Sequence, residues 1–255
     1  MRKLLIGAAV VAVVAIPTVA LAQNPAPVVS GESKLTPSKA GTTKKPKAAK
    51  FSFKVVNSPE SKTTVKQIVL DLPKGVKLDG SKLDTCTAAE VVANGPDKCP
   101  SGSKLGTGVS YAFIVSTLAA PDCVGTGGSA SGCLTFDATF FVGGPKALTV
   151  ALFERSTSTS FSPLTGKITN SGRKLTINIP PELQNTAAGY SALSQLSGSF
   201  SRSKTVKGKK YSFVSTTSCP SSKKWSIKST LVYAPNPTAP PVGSKSTTNN
   251  AKCSK

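Results

Sequence analysis

Six cysteines and no histidine set the limits of what this 255-residue chain could do chemically. Cys86, Cys99, Cys123, Cys133, Cys219 and Cys253 make an even set, which suits a fully bridged framework, although sequence alone leaves fifteen pairings open. Nearest-neighbour bridging is the most economical: Cys86–Cys99, Cys123–Cys133 and Cys219–Cys253. A zinc site would call for C-x-x-C spacings or histidines, and the chain has neither. No metal ligand set and no cofactor motif is expected.

Nucleophilic catalysis has few options. Without histidine there is no Ser-His-Asp or Cys-His arrangement, and bridged cysteines are not nucleophiles. A Ser-Lys dyad of the S-x-x-K kind survives at Ser101/Lys104, Ser171/Lys174, Ser201/Lys204 and Ser221/Lys224. A chain this rich in Ser and Lys would show about four such matches by chance, so they single out nothing. A paired-carboxylate hydrolase would have to choose two of 11 scattered acids, several beside turns such as Asp79-Gly80 and Pro121-Asp122. The expectation is a non-catalytic protein, with a Ser-Lys or paired-carboxylate hydrolase as the alternative.

Charge is the stronger signal. Lys+Arg number 32 against 11 Asp+Glu, a formal net charge of +21. Lysines cluster early (Lys34, Lys39, Lys44, Lys45, Lys47, Lys50) and late (Lys204, Lys207, Lys209, Lys210, Lys223, Lys224). Such a field favours polyanions, among them anionic cell-wall polymer and anionic lipid surfaces. The candidate contacts are Lys44, Lys45, Lys47, Lys50, Lys207, Lys209, Lys210, Lys223 and Lys224. Base-specific reading of nucleic acid is disfavoured, because few arginines are available as bidentate readers.

These residues need a scaffold. In "CTAAEVVANGPDKCPSGSKLGTG", Thr87 and Glu90 have the spacing of a capping box, and Asn94-Gly95-Pro96 is a stop signal, which together predict a helix of about two turns. A bridge closing this loop would stabilise the fold by roughly 3 kcal/mol on the chain-entropy estimate. Gly106 and Gly108 lack the Walker ending and are expected to permit close backbone approach rather than to cradle phosphate. From Leu105 onward the pattern has period two, with large residues on one face and mostly small ones on the other. The same alternation recurs at Phe51/Phe53/Val55, Ile68/Leu70/Leu72, Leu134 to Val142, Leu148/Val150/Leu152, Leu175/Ile177/Ile179 and Trp225 to Tyr233. About ten strands separated by turn residues predict an all-β fold. The expectation is an antiparallel β-sandwich, Ig-like or jelly-roll-like, with one short helix and disulfide-stapled loops.

The ends read differently. "MRKLLIGAAVVAVVAIPTVALAQ" has a basic start, an apolar run and Ala20-Leu21-Ala22, so 1–22 is expected to be a signal peptide cleaved before Gln23. Cleavage would place the mature chain outside the cytoplasm, secreted or associated with the envelope, where bridges persist. No membrane segment is expected after cleavage. Residues 23–50, rich in Pro, Lys and Ala without aromatics, are expected to be a disordered basic tether. The β-domain is expected over 51–234, followed by an extended tail over 235–255.

"LPKGVKLDGSKLDTCTAAE" with "CPSGSKLGTGVS" resembles a segment of secreted β-rich, disulfide-containing proteins of actinobacteria. Shared elements are Leu72-Pro73, Cys86, Cys99-Pro100 and Ser103 with Gly106 and Gly108. "LTGKITNSGRKLTINIPPEL" and "SCPSSKKWSIKSTLVY" are similar to later segments of such proteins. The resemblance implies an extracytoplasmic location and a stapled β fold, with no catalytic residues to carry over.

Overall fold

Alternating apolar and polar residues form strands along most of the described residues, 28–57, 63–115, 121–186 and 189–255, of a computed structural model. The expected signal peptide, 1–22, and the first five residues of the expected tether lie outside the described residues. In chain order the first strands are β1 (Val29–Thr36), β2 (Lys47–Ala48), β3 (Lys50–Asn57), β4 (Thr64–Asp71) and β5 (Val76–Leu78). The helix α1 (Ala88–Asn94) follows, then β6 (Lys104–Ile114), β7 (Cys133–Gly144), β8 (Ala147–Glu154), β9 (Thr159–Thr169) and β10 (Lys174–Asn178). The last are β11 (Asn185–Thr186), β12 (Gly189–Phe200), β13 (Ser203–Val206), β14 (Lys209–Ser212), β15 (Val214–Thr216), β16 (Lys224–Ala234) and β17 (Gly243–Lys252).

The main sheet runs β1-β3-β12-β6-β7-β8-β9-β10-β4-β16-β17, every neighbouring pair antiparallel. It curls until its two edges, β1 and β17, lie side by side. Strand direction alternates along this path of eleven, so the first and last strands must point the same way. The contact that joins them is accordingly a parallel bridge, Lys39 with Ser254, where Ala40 N donates to Ser254 O at 2.8 Å and Ser254 N to Ser38 O at 2.9 Å. The expected all-β, sandwich-like antiparallel fold is present, with its two faces formed by one nearly closed sheet.

Inside, Phe51, Phe53, Phe140, Phe200 and Phe213 form one aromatic cluster with ring centroids 5.0–6.0 Å apart. Room for the Phe140 ring comes from two glycines paired across β6 and β12, Gly108 and Gly198. A Cβ at Gly108 would lie 2.9 Å from Phe140 Cε2, and one at Gly198 would collide with the same atom. The small-residue face of β6 therefore points inward, and the close approach expected of Gly108 is to Phe140 and to the β12 backbone.

All six cysteines are bridged in nearest-neighbour order: Cys86–Cys99, Cys123–Cys133 and Cys219–Cys253. Two of the bridges hold loops over apolar residues on the outer face of the sheet. The first buries Phe141 and Ala151 together with Val91 of α1, and the second buries Phe113 and Ala192. The capping box is present, with Glu90 N donating to Thr87 Oγ1 at 3.2 Å and Thr87 N to Glu90 Oε2 at 2.7 Å. The Cys86–Cys99 segment is thus a short capped helix stapled at its two ends.

Two expectations about the ends are corrected. Residues 28–50 are not a free tether: β1 pairs with β3 from Val29↔Asn57 to Thr36↔Lys50, and Leu35 and Ala49 are buried in the core. Composition misleads here because an edge strand needs few apolar side chains once its backbone groups are paired by a neighbour. The tail over 235–255 is also built into the sheet, since β17 pairs with β16 from Tyr233↔Gly243 to Lys224↔Lys252 and buries Ala251 and Cys253. The β-domain extends over 28–255 rather than 51–234. Among the described residues no helix is long and apolar enough to cross a membrane.

Candidate polyanion-binding end

The topology gathers lysines at one end of the sheet. We call basal the end where β3, β6, β8, β10 and β16 begin and where β1, β4, β7, β9, β12 and β17 finish. A small sheet of order β2-β15-β5 and the β13–β14 hairpin belong to this end, because each lies on a connection leaving or entering it. All nine candidate lysines lie here. Lys44 and Lys45 are in the turn before β2, where Lys45 N donates to Thr42 Oγ1 at 3.0 Å, and Lys47 is in β2 itself. Lys50 opens β3. Lys223 and Lys224 lead into β16 beside the third bridge, where Cys253 N donates to Lys223 O at 3.0 Å.

The hairpin turn holds Lys207 and Gly208, with φ of 48° and 74°, between the paired residues Val206 and Lys209. Two consecutive left-handed residues suit a tight two-residue hairpin and lift Lys207 to its tip. Lys209 and Lys210 follow on β14, with Lys209 Nζ 5.4 Å from the centroid of the Tyr211 ring.

Of the nine, Lys209 and Lys210 line a concave surface. Their hollow, about 270 Å³, also contains Lys77, Asp79, Ser81, Lys82 and Tyr211. A second hollow of about 870 Å³ has Lys77, Asp79 and Ser81 in its wall and adds Lys146, Lys167 and the turn Asn170–Gly172. Lys77, Lys82, Lys146 and Lys167 were not singled out from the sequence. They are isolated in it, and only the outward position of Lys77 between buried Val76 and Leu78, and of Lys167 between buried Gly166 and Ile168, hinted at exposure.

Lys77 divides the two hollows. Its ammonium lies 2.8 Å from Asp79 Oδ2, and Asp79 Oδ1 accepts from Ser81 N at 3.0 Å. Burial opposes the Asp79 charge, yet the hydrogen bonds from Lys77 and Ser81 hold its carboxyl below the ordinary range. The Lys77 stem crosses Gly172, where a Cβ would lie 2.6 Å from Lys77 Cγ and 2.5 Å from Leu78 O. Gly172 also has φ of 88°, a conformation that glycine adopts without strain.

Little acid offsets this charge. Among the described residues, ion pairs form at Lys77–Asp79, Arg155–Asp137 and Lys204–Asp84. Other carboxylates serve local structure. Glu90 completes the capping box, and Asp122, just before the second stapled loop, accepts from Gly125 N at 2.7 Å. Glu154 is buried and accepts from the backbone and hydroxyls of Ser156 and Thr157 at 2.7–3.1 Å. Burial works against its charge, but those donors bring its pKa down to about 2.

The serines of the four S-x-x-K pairs, Ser101, Ser171, Ser201 and Ser221, are all exposed, and Lys204 is engaged by Asp84 at 2.5 Å. Among the described residues no three His, Cys, Asp or Glu side chains come together as a metal site. No family model, no curated protein and no solved structure matches the chain.

Proposed function

We propose that this is an exported, non-catalytic protein that holds anionic cell-wall polymer or an anionic lipid surface with its basal end. The observation that carries this reading is the gathering of the candidate lysines, with Lys77, Lys82, Lys146 and Lys167, at one end where Asp79 and Asp84 are already paired. Exposed lysines on flexible stems suit diffuse, multivalent contact with repeating negative charge. Three bridges support an oxidising destination, as does the resemblance to secreted actinobacterial proteins.

Co-sedimentation of the full mature chain with purified cell walls and with phosphatidylglycerol vesicles tests the proposal, with phosphatidylcholine vesicles as the neutral control. Retention on an anionic surface at low salt, lost at high salt, is expected. Equal recovery with anionic and neutral surfaces would reduce the charge to a solubilising coat.

A further inference from the structure

The two basal hollows share a wall of Lys77, Asp79 and Ser81, and taken together as one trough their lysines fall into two groups. Lys146 and Lys167 line one side of the Lys77–Asp79 divider, and Lys82, Lys209 and Lys210 line the other. The divider is internally neutralised by its own ion pair at 2.8 Å. Positive charge is thus presented at intervals along a recess rather than spread over a convex cap. Ser81, Ser212, Ser215, Thr217, Thr169 and Ser171 supply hydroxyl-bearing walls between these charges.

We propose that this trough is a track for a single strand of anionic, hydroxyl-bearing polymer, a sugar or polyol chain with a phosphate or carboxylate on its repeat. The proposal rests on the polyanion reading above and narrows it to one ligand class and one surface. Lysine groups separated by a neutral divider match charges separated by uncharged sugar or polyol units. Wall hydroxyls both donate to and accept from ligand hydroxyls, which a bare inorganic polyanion lacks. A bilayer presents its headgroups as a plane, which reaches the lysines of a convex surface before those lining a recess. Gly172 keeps the track open by letting the Lys77 stem lie flat across the β9–β10 turn.

Charge-matched variants provide the test. One replaces trough lysines, K82Q/K146Q/K167Q/K210Q, and the other replaces basal lysines outside the trough, K44Q/K45Q/K223Q/K224Q. All eight side chains are exposed, so both variants should keep the wild-type thermal midpoint. Binding is measured to polygalacturonate, to poly(glycerol phosphate) and to phosphatidylglycerol vesicles, at one low salt concentration. The trough variant should lose roughly tenfold or more in affinity for at least one of the two polymers beyond whatever the control variant loses through diffuse attraction to the basal end. Which polymer responds identifies the carboxylate or the phosphate as the anion. Equal losses in both variants would overturn the track while leaving diffuse binding by the basal end intact. A trough-dependent loss seen only with vesicles would assign the recess to lipid and overturn the polymer. If the wild-type chain binds none of the three, the underlying polyanion reading fails as well.

Discussion

Tyr233 Oη donates a 2.9 Å hydrogen bond to Asn57 Oδ1, and Asn57 Nδ2 donates one of 2.9 Å to the carbonyl of Leu193. Both side chains are buried, and the chain of bonds ties β16 to β3 and β12 through the interior, next to the seam that β1 and β17 leave open. A seam joined by so little backbone pairing needs such a tie. Asn57→Ala would strand the Tyr233 hydroxyl and the Leu193 carbonyl, and should cost about 2–3 kcal/mol in urea unfolding. Tyr233→Phe removes only one partner and should cost about 1 kcal/mol.

The same tyrosine makes stability sensitive to base. Burial raises the Tyr233 pKa well above its ordinary value of 10.0, so the folded state favours the protonated phenol. That contribution is whole below pH 10 and falls as pH rises further, because the unfolded chain ionises first. Urea midpoints measured from neutral pH upward should drop above pH 10 in the wild type and drop less in Tyr233→Phe.

Glu154 gives the opposite limb. Its folded pKa of about 2 lies below its ordinary 4.5, so its contribution is present above pH 4.5 and is lost as pH falls toward 2. Glu154→Gln should destabilise the protein by about 1–2 kcal/mol at pH 7. The variant should also flatten the acid limb of a stability–pH curve.

Gly198→Ala should be among the most damaging single-methyl additions in the chain, because the new Cβ meets the Phe140 ring in the packed aromatic cluster. Overpacking of this kind costs about 1–3 kcal/mol. The pair Gly198→Ala with Phe140→Leu should recover part of that loss, measurable as a double-mutant cycle.

The strands were legible because their period is local: Ile68, Leu70, Phe136, Ala138, Phe140, Val142, Leu175 and Ile177 are all buried as the alternation requires. The bridges were legible because each joins nearest neighbours in sequence. What was not legible depends on partners far along the chain. Val29 to Thr36 has the composition of a tether and becomes a strand only because β3 offers it a paired edge. The trough is of the same kind. Lys82, Lys146 and Lys167 come to the same end as Lys209 and Lys210 only because connections far apart in the chain finish at one end of the sheet.

The central claim is that the basal end, and not net charge at large, holds polyanion. The most direct measurement is the salt dependence of binding to poly(glycerol phosphate), taken as the slope of log affinity against log salt. Each lysine engaged with the polymer contributes roughly one unit to that slope through released counterions. Replacing Lys209 and Lys210 with Gln should lower the slope by about two units. Replacing Lys245, which lies near the start of β17 at the opposite end of the sheet, should leave it unchanged. Equal changes in the two variants, or no salt-sensitive binding by the wild-type chain, would contradict the claim.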